Sequence, residues 1–195
     1  ESNPIIGNAF YEKAITIGRK TFDEAFIKEN KGHFWLIHET RDFMISLKCY
    51  AENLFLLSKY NESQMVLEEM MMLCKTDNLG ARHLLYLILI RTNKQDKIDQ
   101  YKEEFSDDGN TFAKFNYALN SFVIKGDTAE SKKLLKEAMK ANKFVVPMLK
   151  TKFDIDFIPI SFMIGSREEA VYYNIYAHAI WREISGAVKW LVNTK

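Results

Sequence analysis

The sequence predicts an all-α chain built from repeated helical hairpins. Three observations carry this. Apolar runs end in small or polar breaks at Ser58-Lys59-Tyr60-Asn61-Glu62-Ser63, Thr92-Asn93-Lys94-Gln95-Asp96-Lys97 and Gly126-Asp127-Thr128-Ala129-Glu130-Ser131, with first residues 34 apart both times. Other positions recur in step: acidic Glu62, Asp96 and Glu130, and apolar Leu54, Ile88 and Phe122, then Leu56, Ile90 and Ile124. Only 3 prolines and 8 glycines occur in 195 residues, which favours long helices over many short strands. A fixed period with two helical segments per unit is how stacked hairpins read, because each unit hides its apolar face on the next.

The totals narrow the class. Hydrophobic residues at 47% and charged residues at 27% describe a globular chain with a core that needs no staples. A formal net charge of +1 argues against broad nucleic-acid or anionic-membrane binding, so neither partner is expected. No apolar run approaches ~18 residues, so no membrane span is expected. Cys49 and Cys74 are too few for a disulfide framework and read as small buried hydrophobes in a reducing, cytoplasmic setting. The chain opens with Glu1 and not Met, so one reading makes it part of a longer protein.

Residues 1–43 are expected to form an N-terminal helical cap. Asn3-Pro4 reads as an N-cap and first helical residue, with a helix to about Lys20 whose apolar positions include Ile5, Phe10, Ala14 and Ile17. Thr21-Phe22-Asp23-Glu24 has capping-box spacing, and Asn30-Lys31-Gly32 ends the short helix that follows. The aromatic-rich run His33 to Thr40 leads into the repeats.

Residues 44–145 hold three repeats of 34 residues. The expected helix pairs are Thr40–Ser58 with Asn61–Lys75, Asn78–Arg91 with Lys94–Phe105, and Thr111–Lys125 with Thr128–Asn142. Leu84 to Ile90 is apolar all round and should be the most buried stretch. The methionines Met65, Met70, Met71 and Met72 read mainly as core. Asp127 is expected to cap the last of these helices. In residues 146–195, Thr151 to Ile164 reads as an extended excursion packed on the stack. Ser166-Arg167-Glu168-Glu169 opens a helix to about Ile184, and Ser185-Gly186 precedes a closing helix.

The repeats resemble the tetratricopeptide family. Its small turn residue falls on Ser58, Thr92 and Gly126, and its large aromatic two residues later appears as Tyr60. Its small helix-B residue is Ser63 and Ser131, with Lys97 between, and its large residue four later is Leu67, Tyr101 and Leu135. Lys75, Gly109 and Lys143 stand where the family usually ends a unit with proline. A closer resemblance is to a bacterial group of tetratricopeptide proteins related to the suppressor-of-tumorigenicity-seven family. Gly32-His33-Phe34-Trp35 and Glu39-Thr40-Arg41-Asp42-Phe43-Met44 carry it, with Asp42 in place of the group's proline. So do Asn78 to Leu85, Leu134 to Asn142, Val146 to Leu149, Gly165 to Ala170 and Trp181 to Leu191. The resemblance implies a right-handed α-α superhelix of about three hairpins with helical caps at both ends, and an interaction role without implying an activity.

Phosphate loops, nucleophile elbows, paired Cys motifs and zinc helices are absent from the sequence. His33, His38 and Glu39 offer at most part of a metal site, and Asp154 with Asp156 the minimum of a carboxylate pair. Solvated loops account for both, so no metal, cofactor or catalytic residue is expected. Carrying over the family's concave groove gives Lys48, Arg82 and Asn116 in one column and Glu52, Tyr86 and Asn120 in another. Such columns can grip a peptide carboxylate or backbone. Arg41 is a weaker candidate, as a fork for a carboxylate. The expected function is a non-catalytic module that binds a peptide or protein partner. The alternatives are a regulatory or assembly domain of a longer protein and, last, an enzyme using the His33–Arg41 region.

Overall fold

The computed structural model describes residues 4–152 and 157–194, with side chains from Gly7 onward. Among the described residues every regular element is helical: eleven α-helices and two 3₁₀ turns, and no strand. The chain falls into two compact units, Glu1–Ile88 and Leu89–Lys195.

The first unit begins with α1 (Pro4–Thr21) and α2 (Glu24–Asn30), followed by 3₁₀ turns at Phe34–Leu36 and His38–Thr40. Thr21 closes α1 by donating to the Ile17 carbonyl instead of capping α2. The α2 cap is Asp23, which accepts from the Phe26 N–H at 2.8 Å. Nor does α1 bury the apolar face expected of it. Phe10 and Ile17 are exposed, while Asn8, Ile15 and Gly18 are buried. The reason is close approach. A Cβ at Gly18 would lie 2.2 Å from the Phe43 ring, so α1 crosses α3 (Arg41–Leu56) where it has no side chain. Phe43 sits among Phe22 at 5.9 Å and Phe34 at 6.4 Å.

The pair α3 and α4 (Tyr60–Leu73) forms a tight hairpin. Ser58 takes φ 60 at the turn, and the N–H groups of Ser58 and Lys59 donate to the carbonyls of Phe55 and Leu54. This double return closes the helix end as a Schellman motif. Ser63 is fully buried where the helices meet and donates to the Ala51 carbonyl at 2.8 Å. Here only a small side chain lets the backbones approach. Met70 and Met71 are core, whereas Met65 and Met72 face out.

The boundary between units falls within α5 (Ala81–Arg91), whose residues 84–90 are all buried as expected. In the second unit the turn before α6 (Gln95–Glu104) repeats the Schellman pattern, with Asn93 and Lys94 donating to Ile90 and Leu89. The left-handed residue is Asn93, φ 53, and not Thr92. Asn tolerates that conformation and β-branched Thr resists it. The local spacing between the three turn residues is therefore 35 and then 33 around a mean of 34.

The second tight hairpin is α7 (Thr111–Lys125) with α8 (Ala129–Ala141), turning at Gly126, φ 67. Ser131, the counterpart of Ser63, is again fully buried and bonds Ser121 at 2.9 Å. Thr128, not Asp127, caps α8, accepting from the Ser131 N–H. Asp127 instead accepts from Trp190 Nε1 at 3.1 Å and pairs with Lys132. The helices α9 (Val145–Lys150), α10 (Arg167–Glu183) and α11 (Ala187–Asn193) complete the unit. Residues 157–164 have no regular structure and, apart from buried Pro159, lie exposed instead of packed down. Asp154 and Asp156 fall outside the described residues.

Candidate interaction site

The six groove positions do not share one environment. On α3, Lys48 and Glu52 stand one turn apart, half-buried, with 3.6 Å between ammonium and carboxylate. Cys49 beside them has its thiol pushed up, first by burial and then by the Glu52 charge. A thiol held in that form is a poor nucleophile. Tyr50 donates to Glu12 at 2.8 Å, and burial with that bond pushes its hydroxyl up to about 12. This stretch of α3 thus offers a compact, paired set of charges and hydroxyls at the surface of the first unit.

Arg82 is engaged in the fold. Its guanidinium meets Asp77 at 2.7 Å, and Asp77 also accepts from the Ala81 and Arg82 N–H groups at 2.7 and 3.0 Å. Asp77 caps α5 from a left-handed backbone, φ 46. Burial raises its carboxyl above the ordinary value, against the lowering pull of the bonds from Arg82 and Ala81. Desolvation outweighs the ion pair here, as it often does for buried charges.

Tyr86, Asn116 and Asn120 are buried at 6%, 1% and 8% exposure, which corrects the expectation that they line an open groove. For Asn116 the cause is α10. Trp181 Nε1 donates to the Tyr173 hydroxyl at 2.8 Å, and that hydroxyl donates to Asn116 Oδ1 at 3.3 Å. Phe115 packs on the same Tyr173 ring at 5.5 Å. Burial drives the Tyr173 hydroxyl strongly upward, so it acts as a neutral relay in a core network.

Arg41 opens α3. Its guanidinium lies 5.4 Å over the Trp35 ring, and its Nε donates to the Trp35 carbonyl at 3.1 Å. Thr40 locks the preceding turn by donating to the carbonyls of Phe34 and Ile37. His33, His38 and Glu39 are exposed on this turn. Among the described residues no group of three His, Cys, Asp or Glu side chains converges as a metal site. Exposed Arg41 stacked on half-buried Trp35 is a ready contact for a carboxylate or peptide plane.

The sequence reading missed the buried carboxylate Glu169. It accepts from the Thr111 N–H at 3.0 Å and the Thr111 hydroxyl at 2.6 Å, from the Gly165 N–H at 2.6 Å and from Asn142 at 3.3 Å. It thereby ties the starts of α7 and α10 to the end of α8. Only its place in Ser166-Arg167-Glu168-Glu169 hinted at a role. Half of that capping box forms, since Ser166 Oγ accepts from the Glu169 N–H at 3.1 Å.

No protein-family model, curated protein or solved structure matches the chain.

Proposed function

We propose that the chain is a non-catalytic interaction module of tetratricopeptide type. Its hairpins continue as a right-handed α-α superhelix with helical caps, and it binds a peptide or protein partner. The observation that carries this reading is the recurrence of one hairpin design. The pairs α3/α4 and α7/α8 both turn on a residue of positive φ, Ser58 or Gly126, and both cross at a fully buried serine, Ser63 or Ser131. Such units close their apolar faces by stacking and present helix faces in series.

Of the groove candidates, Lys48 and Glu52 on α3, with Arg41 above them, supply the partner contact. Arg82, Tyr86, Asn116 and Asn120 serve the fold. The test is affinity capture with the immobilised full chain, comparing wild type with the charge exchange Lys48→Glu/Glu52→Lys. The exchange keeps a one-turn ion pair and reverses its polarity, so the helix survives. We expect the captured partner to be lost while helical content stays unchanged. Equal capture by both proteins would remove α3 from the binding site.

A further inference from the structure

The overall charge of +1 conceals a local excess. Residues 132–152 contain seven lysines and one glutamate, and residues 153–164 add only two aspartates. Among the described residues of the second unit, 157–164 form an exposed apolar strip. Ile160 is 103% exposed, Met163 78%, Ile164 74% and Ile158 65%. The strip is exposed along its length apart from Pro159. It is held at its base by buried Pro159 and by Phe162 against Tyr172 at 5.3 Å.

The far end of the strip, at Gly165 and Ser166, lies beside lysines. There Asn142 donates to the Ser166 carbonyl at 2.9 Å, and a Cβ at Gly165 would meet the Ala141 carbonyl at 3.1 Å. Exposed Lys140 and Lys143 flank that contact. Exposed aliphatic side chains suit a soft apolar phase better than a flat protein face. Clustered lysines suit an anionic one.

We propose that residues 157–164 dock on an anionic phospholipid surface. Ile160, Met163 and Ile164 enter the boundary between headgroups and acyl chains, and Lys140 and Lys143 face the headgroups. An irregular backbone cannot go deeper, because its N–H and C=O groups would lose their partners. The contact is therefore reversible and salt-sensitive. It stands on residues outside the α3 site and is independent of the partner-binding reading.

The test is co-sedimentation of the full chain with phosphatidylcholine vesicles, with and without phosphatidylserine. Wild type should sediment only with the anionic vesicles. Each lysine contributes about fivefold near such a surface, so Lys140→Gln/Lys143→Gln should weaken binding roughly twenty-five-fold. Ile160→Asp/Met163→Asp should abolish it, with circular dichroism unchanged. Ile160→Ser, a milder change at a fully exposed site, should weaken binding if the double variant misfolds. Failure of wild type to sediment, or wild-type binding by the folded variants, overturns the proposal. So does light scattering that shows a dimer which Ile160→Asp/Met163→Asp converts to a monomer, since the strip would then belong to a second copy. Capture by an acidic peptide in place of vesicles overturns it equally.

Discussion

Two glycines on α1 should respond in opposite directions to the same substitution. At Gly18 an added Cβ meets Phe43 Cδ2 at 2.2 Å, with Cε2 and Cγ at 2.9 Å. The Phe43 ring is buried at 4% exposure and is wedged between Phe22 and Phe34, so it has little room to yield. Overpacking of this kind costs about 1–3 kcal/mol, and an immobile ring puts the cost toward the upper end. Alanine regains about 1 kcal/mol of helix propensity over glycine. Gly18→Ala should therefore destabilise by about 1–2 kcal/mol. At Gly7 the nearest atoms to a Cβ are Asn53 Nδ2 at 3.6 Å and Tyr11 Cε2 at 3.7 Å, which is ordinary contact. Gly7→Ala should stabilise by about 0.5–1 kcal/mol. Urea unfolding followed by near- and far-UV circular dichroism would measure both. For a chain of this length the Gly18 variant should also melt roughly 2–8 °C lower. A Gly18→Ala variant as stable as the Gly7 variant would refute the close crossing of α1 on α3.

Three further outcomes follow from the caps and buried charges. Asp77→Ala should cost about 2–3 kcal/mol in urea, from a lost cap and from strain at a left-handed position, whereas Asp77→Asn should cost less than about 1. Because burial raises the Asp77 carboxyl above its ordinary 3.8, its contribution to stability is fully present below that value and is lost as pH rises through the folded pKa. The stability of Asp77→Asn relative to wild type should accordingly increase with pH over this window, and a flat difference in pH-dependent urea titrations would contradict it. Glu169→Ala should cost about 3–5 kcal/mol, since the Thr111 N–H, the Thr111 hydroxyl and the Gly165 N–H lose their acceptor at once, and loss below about 1 kcal/mol in the same assay would show that Glu169 is not the tie between α7, α8 and α10.

Much of the fold was legible because hairpin turns and buried serines have local signatures. Ser58, Gly126, Ser63 and Ser131 stand where the period places them, and α7 spans the expected Thr111–Lys125. The second turn was displaced by one residue because a strict period fixes a position and not a backbone angle. Asn93 supplies the angle that Thr92 resists. The buried face of α1 was misread because glycine carries no hydropathy signal, yet Gly18 is the contact, and Phe10 and Ile17 face out. The amides Asn116 and Asn120 read as groove residues because the family's concave positions were carried onto them. Their burial depends in part on α10, whose Tyr173 reaches Asn116 from 57 residues away. No local pattern reports such a partner. Arg82 was misread for a nearer reason. Its Asp77 is only five residues off, but the pairing needs the left-handed bend at Asp77.

The proposed superhelix is the claim on which the partner-binding surface rests. In the proposed superhelix Ser46 on α3 and Lys114 on α7 would occupy equivalent places two repeats apart, and both are half-buried. Pulsed electron paramagnetic resonance would measure the distance between spin labels at Ser46→Cys and Lys114→Cys, in a chain carrying Cys49→Ser and Cys74→Ala. Two successive helix-to-helix steps of about 8–10 Å predict one narrow population near roughly 20 Å, broadened by the label arms. A broad distribution, or a mean beyond about 35 Å, would contradict the stack.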